Sequence, residues 1–168
     1  MSSEVKPIPD GYHTLTPGLV VNDAAKAIEF YKEALGAEEL SRMTTPDGNA
    51  IMHSELKIGD SIIFICDEFP DMGSKSPKTL GGTPVSLNLY LEDVDASFER
   101  AISAGAQSIM PVADMFWGDR FGMITDPFGH TWGLCTHIKD MTPEEIVESS
   151  KEFFKNEDCS SAETASGS

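Results

Sequence analysis

A chain of 168 residues is long enough for one ordinary domain, or for two small modules that share a core. Its 28 acidic and 12 basic side chains give a formal net charge of −16. That balance argues against nucleic acid or an anionic membrane as a partner, because phosphate surfaces select basic ones. No apolar run approaches the roughly 20 residues that span a bilayer, and the first residues, MSSEVKPIPDGYH, have neither a basic start nor an apolar stretch. Three cysteines without CxxC spacing (Cys66, Cys135, Cys159) suit reduced thiols. The expected compartment is the cytoplasm.

Residues 1–12 form a loose lead-in rich in proline. "LTPGLVV", Leu15 to Val21, reads as a strand with Pro17 near its start. A helix follows, with Asn22 or Asp23 as cap, Ala24, Ala27, Ile28, Tyr31 and Leu35 at helical spacing, and Gly36 as its stop. Ser41–Thr45 and Ala50–Ile58 are strands around a Pro46-Asp47-Gly48 turn, and Gly59-Asp60 leads into a third, Ser61–Cys66. Residues 68–82, dense in Pro, Gly, Ser and Lys, mark a linker.

The order then repeats: a strand in "VSLNLYLED", a helix in "DVDASFERAISAGA", and strands in "QSIMPVADM", "DRFGMITD" and "TWGLCTH". Asp23 and Asp93 open the two helices, and Gly59 and Gly129 turn the two last hairpins, each pair 70 residues apart. The chain therefore reads as α+β, with two βαβββ modules at 13–67 and 83–138. Thr142-Pro143-Glu144-Glu145 starts a further helix within 139–155, whose Ile146, Phe153 and Phe154 form an apolar side. Residues 156–168 are polar and of low complexity, and are expected to be disordered.

Paired modules, "VVNDAAKAIEFYKEALGAEEL" at the first helix and "DPFGHTWGL" at the last hairpin resemble the vicinal-oxygen-chelate superfamily of glyoxalases, bleomycin-resistance proteins and extradiol dioxygenases. "MHSELKIGDSIIFICDE", "MFWGDRFGMITDPFGHTW" and "THIKDMTPEEI" look like its PhnB-like branch. The resemblance implies two modules curled into an open, mixed β-barrel around a ligand cleft, and a homodimer. Metal enzymes of the superfamily carry His, Glu or Gln ligands on the opening and closing strands of each module. Matching strand and turn motifs puts those positions on Thr16, Ile63, Ser86 and Gly133. None suits Zn, Fe, Ni or Mn, which take imidazole, carboxylate or thiolate. No metal and no cofactor is expected.

His53 and Glu55, two residues apart on one strand, form a candidate acid/base pair. A regular hairpin at Gly59-Asp60 turns them away from Ile63, and a bulge reverses this. A four-residue turn at Asp126–Gly129 pairs Arg120 with Cys135, so that Arg120 shares the cleft face with Gly133 and offers a fork of donors to an anionic or carbonyl ligand. Ser86 and Asn88 share a face; Thr16, Ser86 and Asn88 are expected as polar contacts to the ligand, Trp117 and Phe116 as an aromatic wall, and Trp132 faces a helix. His130 is expected to tie down the Asp126–Gly129 corner, His13 to lie free on the surface, and His137 to be a loop residue. There is no Walker loop and no GxSxG. The expected function is metal-free binding of a small organic molecule, as a resistance-type binder or a metal-independent isomerase or lyase. The alternative is a divalent-metal glyoxalase or dioxygenase with other ligands.

Overall fold

The computed structural model describes residues 5–164, with side chains for residues 5–155. Two four-stranded mixed sheets follow from the repeat. In the first module β1 (Gly18–Val21), β2 (Glu38–Thr44), β3 (Ile51–Ile58) and β4 (Ser61–Asp67) lie in the order β1-β4-β3-β2. In the second, β5 (Ser86–Tyr90), β6 (Gln107–Asp114), β7 (Asp119–Thr125) and β8 (Thr131–His137) lie in the order β5-β8-β7-β6. The helix of each module, α1 (Ala24–Leu35) or α3 (Val94–Ser103), crosses between its first and second strands. The opening strand runs parallel to the closing one and the other pairings are antiparallel.

The helices form where the sequence marks them. The Asp23 carboxylate accepts from Lys26 N and that of Asp93 from Ala96 N, satisfying amides that the first turn leaves unpaired. Gly36 ends α1 at φ 67°, a conformation that side chains with a Cβ resist. The linker is not structureless: it holds a single 3-10 turn and the short helix α2 (Pro77–Leu80), capped by Ser76. The C-terminal helix α4 runs Pro143–Thr164, past Lys155, because no proline or glycine interrupts it there. The remaining part of the expected tail, residues 165–168, lies outside the described residues.

One face of each sheet is covered by its helix. Leu19, Val21, Leu56, Ile63 and Ile65 pack under α1, and Ile124, Trp132 and Leu134 under α3, all in one continuous core. The modules meet through this helical layer, α1 against α3, rather than sheet on sheet. Cross-module bonds fix the junction: in the core Tyr31 Oη donates to Asp126 Oδ2 at 2.6 Å, and nearer the surface Arg100 Nε donates to the Ala34 carbonyl at 3.0 Å. His130 Nε2 lies 3.0 Å from the Val20 carbonyl, so this histidine ties its corner to the other module.

The opposite faces stay open. Met43 is 54 % exposed on the first and Tyr90 69 % on the second. A single chain therefore presents two open sheets without closing a barrel around a cleft.

Candidate functional site

On the first open face, the two-residue hairpin at Gly59-Asp60 pairs Ile58 with Ser61 and hence Glu55 with Phe64. Of the two hairpin geometries, the regular one holds. His53 and Glu55 point away from Ile63, but the open side is theirs and Ile63 lies in the core at 5 % exposure. A bulge does occur in β3, at its pairing with β2 where His53 faces Met43 and Ile51 faces Thr44. His53 Nε2 lies 3.3 Å from Glu55 Oε1, and its ring centre 4.8 Å from that of Phe64. The lead-in crosses this face, placing Tyr12 6.1 Å from Phe64. The Tyr12 hydroxyl, more than the His53 ring, holds the Glu55 carboxyl below the usual carboxylate range, against the opposing effect of burial. The same contact raises the Tyr12 phenol.

On the second open face, Asn88 pairs with Gly133, and Gly133 with Met123 across the hairpin. A Cβ on Gly133 would stand 2.1 Å from Asn88 Oδ1 and 2.8 Å from the Phe121 ring. Glycine thus lets an amide and a phenyl ring lie flat on the sheet. At one end of this floor sits Asp119, 5 % exposed. Its Oδ2 accepts from Tyr90 Oη at 3.0 Å and Trp117 Nε1 at 3.1 Å, and its Oδ1 lies 2.7 Å from His137 Nδ1. The other ring nitrogen, Nε2, is 3.0 Å from Asp140 Oδ1. Asp119 first and Asp140 second raise the His137 imidazole above its ordinary value. Burial, then the Asp119 charge, pushes the Cys135 thiol up to about 11.

Several sequence expectations change with this geometry. Arg120 pairs with Thr136, not Cys135, because the closing loop is one residue longer than expected: Thr125 pairs with Thr131, so five residues, Asp126–His130, lie between the paired positions rather than four. One residue of register reverses every side chain. Arg120 thus leaves the Gly133 face and makes ion pairs with Asp95 of α3 and Asp114 of β6 at 2.6 and 2.7 Å. The same difference makes Phe64, not Ile63, the first-module counterpart of Gly133, since Gly18 pairs with Phe64 as Asn88 does with Gly133. Thr16 lies ahead of β1, its hydroxyl 3.4 Å from the His13 carbonyl. Ser86 and Asn88 share the open face, and Trp132 is 1 % exposed under the helix. Trp117 leans on Phe121, their ring centres 5.7 Å apart. His137 belongs to β8 rather than to a loop.

A profile of the Glyoxalase/Bleomycin resistance protein/Dioxygenase superfamily matches residues 12–134. The chain belongs to this superfamily. Among curated relatives, Rv0887c of Mycobacterium tuberculosis is 47 % identical over 135 residues, 79 % of each chain. Among solved structures, the At5g48480 protein of Arabidopsis thaliana superposes with a TM-score of 0.59 at 29 % identity, covering 73 % of this chain and 97 % of that one. The fosfomycin resistance protein FosX of Listeria monocytogenes, solved with Mn(II) and sulfate, gives 0.56 at 20 % identity over 80 % of this chain and 97 % of its own, a likeness of fold alone.

A superfamily-type metal does not fit the donors present. Thr16, Ser86 and Gly133 offer no imidazole, carboxylate or thiolate, and neither Ile63 nor its structural replacement Phe64 does. The space that a ligating side chain at position 133 needs is filled by Asn88 and Phe121. Among the described residues, no three His, Cys, Asp or Glu side chains cluster as a metal site. Also among the described residues, no helix is long and apolar enough to cross a membrane.

Proposed function

We propose that this superfamily member binds a small organic molecule on its open sheet faces without a metal, as a PhnB-like cytoplasmic protein, and that a second copy covers those faces. The observation that carries the reading is the pairing of character on the second face. Gly133 clears a floor of Asn88 and Phe121, while the Asp119 group arranges Tyr90, Trp117 and His137 at its edge. Such a surface, apolar with a few fixed polar groups, is how proteins recognise small molecules. Exposed Met43 and Tyr90 support a covering partner, since apolar faces of this kind mark interaction sites.

Elemental analysis of protein purified without chelator or metal-affinity resin tests the metal-free reading, followed by melting with and without added metals. Negligible Ni, Fe, Mn or Zn and no metal-induced shift are expected; near-stoichiometric metal overturns the reading in favour of a divalent-metal enzyme. Light scattering should report a dimer of the 18.2 kDa chain, and a monomer would count against the second copy.

The 3.3 Å contact between His53 and Glu55, on an open face, favours catalysis over mere sequestration. On an identified substrate, His53→Ala and Glu55→Gln should each abolish turnover while leaving binding measurable. Full activity in both variants leaves a binder.

A further inference from the structure

We propose that His137 is the recognition group for a carboxylate or enolate oxygen on an aromatic ligand lying on the second open face, which is taken here as the binding surface proposed above. Arg120 cannot serve this purpose, being turned to the helix side. His137 stands on the correct face and is built for it. Asp119, nearly buried and held by Tyr90 and Trp117, fixes the ring through Nδ1 and balances its charge. The second nitrogen already carries a carboxylate. Asp140 Oδ1 lies 3.0 Å from Nε2, yet the Asp140 side chain is fully exposed in the segment leading to α4.

In the single chain that contact is an exposed ion pair, weak enough to exchange. Asp140 therefore stands where a ligand oxygen would bind, with a charge-assisted hydrogen bond ready for it. The rings around the site suit an aromatic body: Phe121 over Gly133, Trp117 against Phe121, and Tyr90 facing solvent. A net charge of −16 repels anions at long range, so this short-range contact has to provide the selection.

Only the imidazolium donates from both nitrogens. Asp119 and Asp140 favour that form, and their effect persists above the ordinary histidine range. Among the groups gathered on Asp119, the Cys135 thiol titrates at about 11 and the Tyr90 phenol is raised by the Asp119 contact. Neither loses a proton near neutrality. Binding of the anion should therefore hold through neutral pH and fall as pH rises past the raised His137 value.

The probes are 2-naphthoate and its neutral analogue 2-naphthylmethanol, titrated into the full chain at pH 6 and pH 9 by calorimetry. Trp117 emission gives a local readout, with the buried Trp132 as the undisturbed control. The acid should bind at pH 6, weaken about tenfold at pH 9, and bind more tightly than the alcohol. Asp140→Asn should strengthen naphthoate about threefold at pH 6 by removing its competitor. His137→Gln should abolish both the preference for the acid and the pH dependence. If His137→Gln fails to fold, Asp140→Asn still decides, because it leaves His137 and Asp119 in place. Equal binding of acid and alcohol at both pH values removes the role of His137 while the face remains a binding surface. Unchanged or weaker naphthoate binding in Asp140→Asn overturns the proposal too. Failure of both probes to bind or to alter Trp117 emission overturns the proposal and counts against the face itself.

Discussion

Asp119 opens β7 and Asp126 follows its last residue; both are nearly buried, and they do different work. Asp126 Oδ1 accepts from the backbone amides of Phe128 and His130, each at 2.9 Å. Its Oδ2 accepts from Tyr31 at 2.6 Å and Trp132 at 2.9 Å, both inside the core. Both side-chain partners are buried, and Tyr31 belongs to the other module. Asp119 has three partners, all side chains, and two of them reach solvent: Tyr90 is 69 % exposed and the His137 side chain 51 %. Burial of a carboxylate does not by itself mark a functional group. What separates the two is whether the donors are fixed by the fold or available to something outside it.

The first way to break this distinction is Asp126→Ala. It strands two backbone amides, a phenol and an indole N–H in the core, so it should cost about 4 kcal/mol by urea unfolding. Loss of under about 1 kcal/mol would mean that the corner is held by packing rather than by its carboxylate. Asp119→Asn is the sharper counterpart. The amide keeps an acceptor for Tyr90 or Trp117, so the cost should be about 1.5 kcal/mol, with the His137 imidazole returning toward its ordinary value. In the wild type, the raised folded-state value of His137 stabilises the native state fully below the unfolded pKa of about 6.5. That contribution disappears as pH rises through the raised value. Histidine NMR titrations alongside urea melts should show this pH dependence in the wild type and a much flatter one in Asp119→Asn. An unchanged His137 midpoint would separate His137 from Asp119.

The difference between the two acids was only half legible in the sequence. The turn around Asp126 could be read because its chemistry is local: Pro127 presets φ, Gly129 adopts φ 93°, and the Asp side chain reaches amides two and four residues on. The same holds for the caps at Asp23 and Asp93, the stop at Gly36 and the core position of Trp132. Asp119 was not legible, because its donors come from β5, from the turn before β7 and from β8, which only the folded sheet assembles. Tyr12 was missed for a related reason, since the lead-in shows no periodicity that would lay it across β4. The placements of Arg120 and Ile63 failed on a single residue. Both hairpins carry a glycine 70 positions apart, but one closes over two residues and the other over five. Turn composition identifies a hairpin more surely than it fixes its length, and length determines the face.

Arg120 gives the smallest expected effect and the most direct check of that register. On the cleft face, as a four-residue turn implies, its removal would weaken any anionic ligand. In the observed register it bridges Asp95 and Asp114 on the helix side, with its side chain 34 % exposed. Such surface pairs contribute little, because solvent screens them and two long side chains must be ordered to make them. Arg120→Gln should therefore lower the melting temperature by no more than about 3 °C. It should leave 2-naphthoate binding and its pH dependence unchanged, in contrast to His137→Gln. High salt should erase even the small melting difference, as expected for a screened pair. Should Arg120→Gln instead abolish naphthoate binding while the melt barely moves, the hairpin would have to close over four residues in solution. The Asp119 cluster would then lose its place on the ligand face, because the register that exposes Arg120 turns Asp119 toward α3.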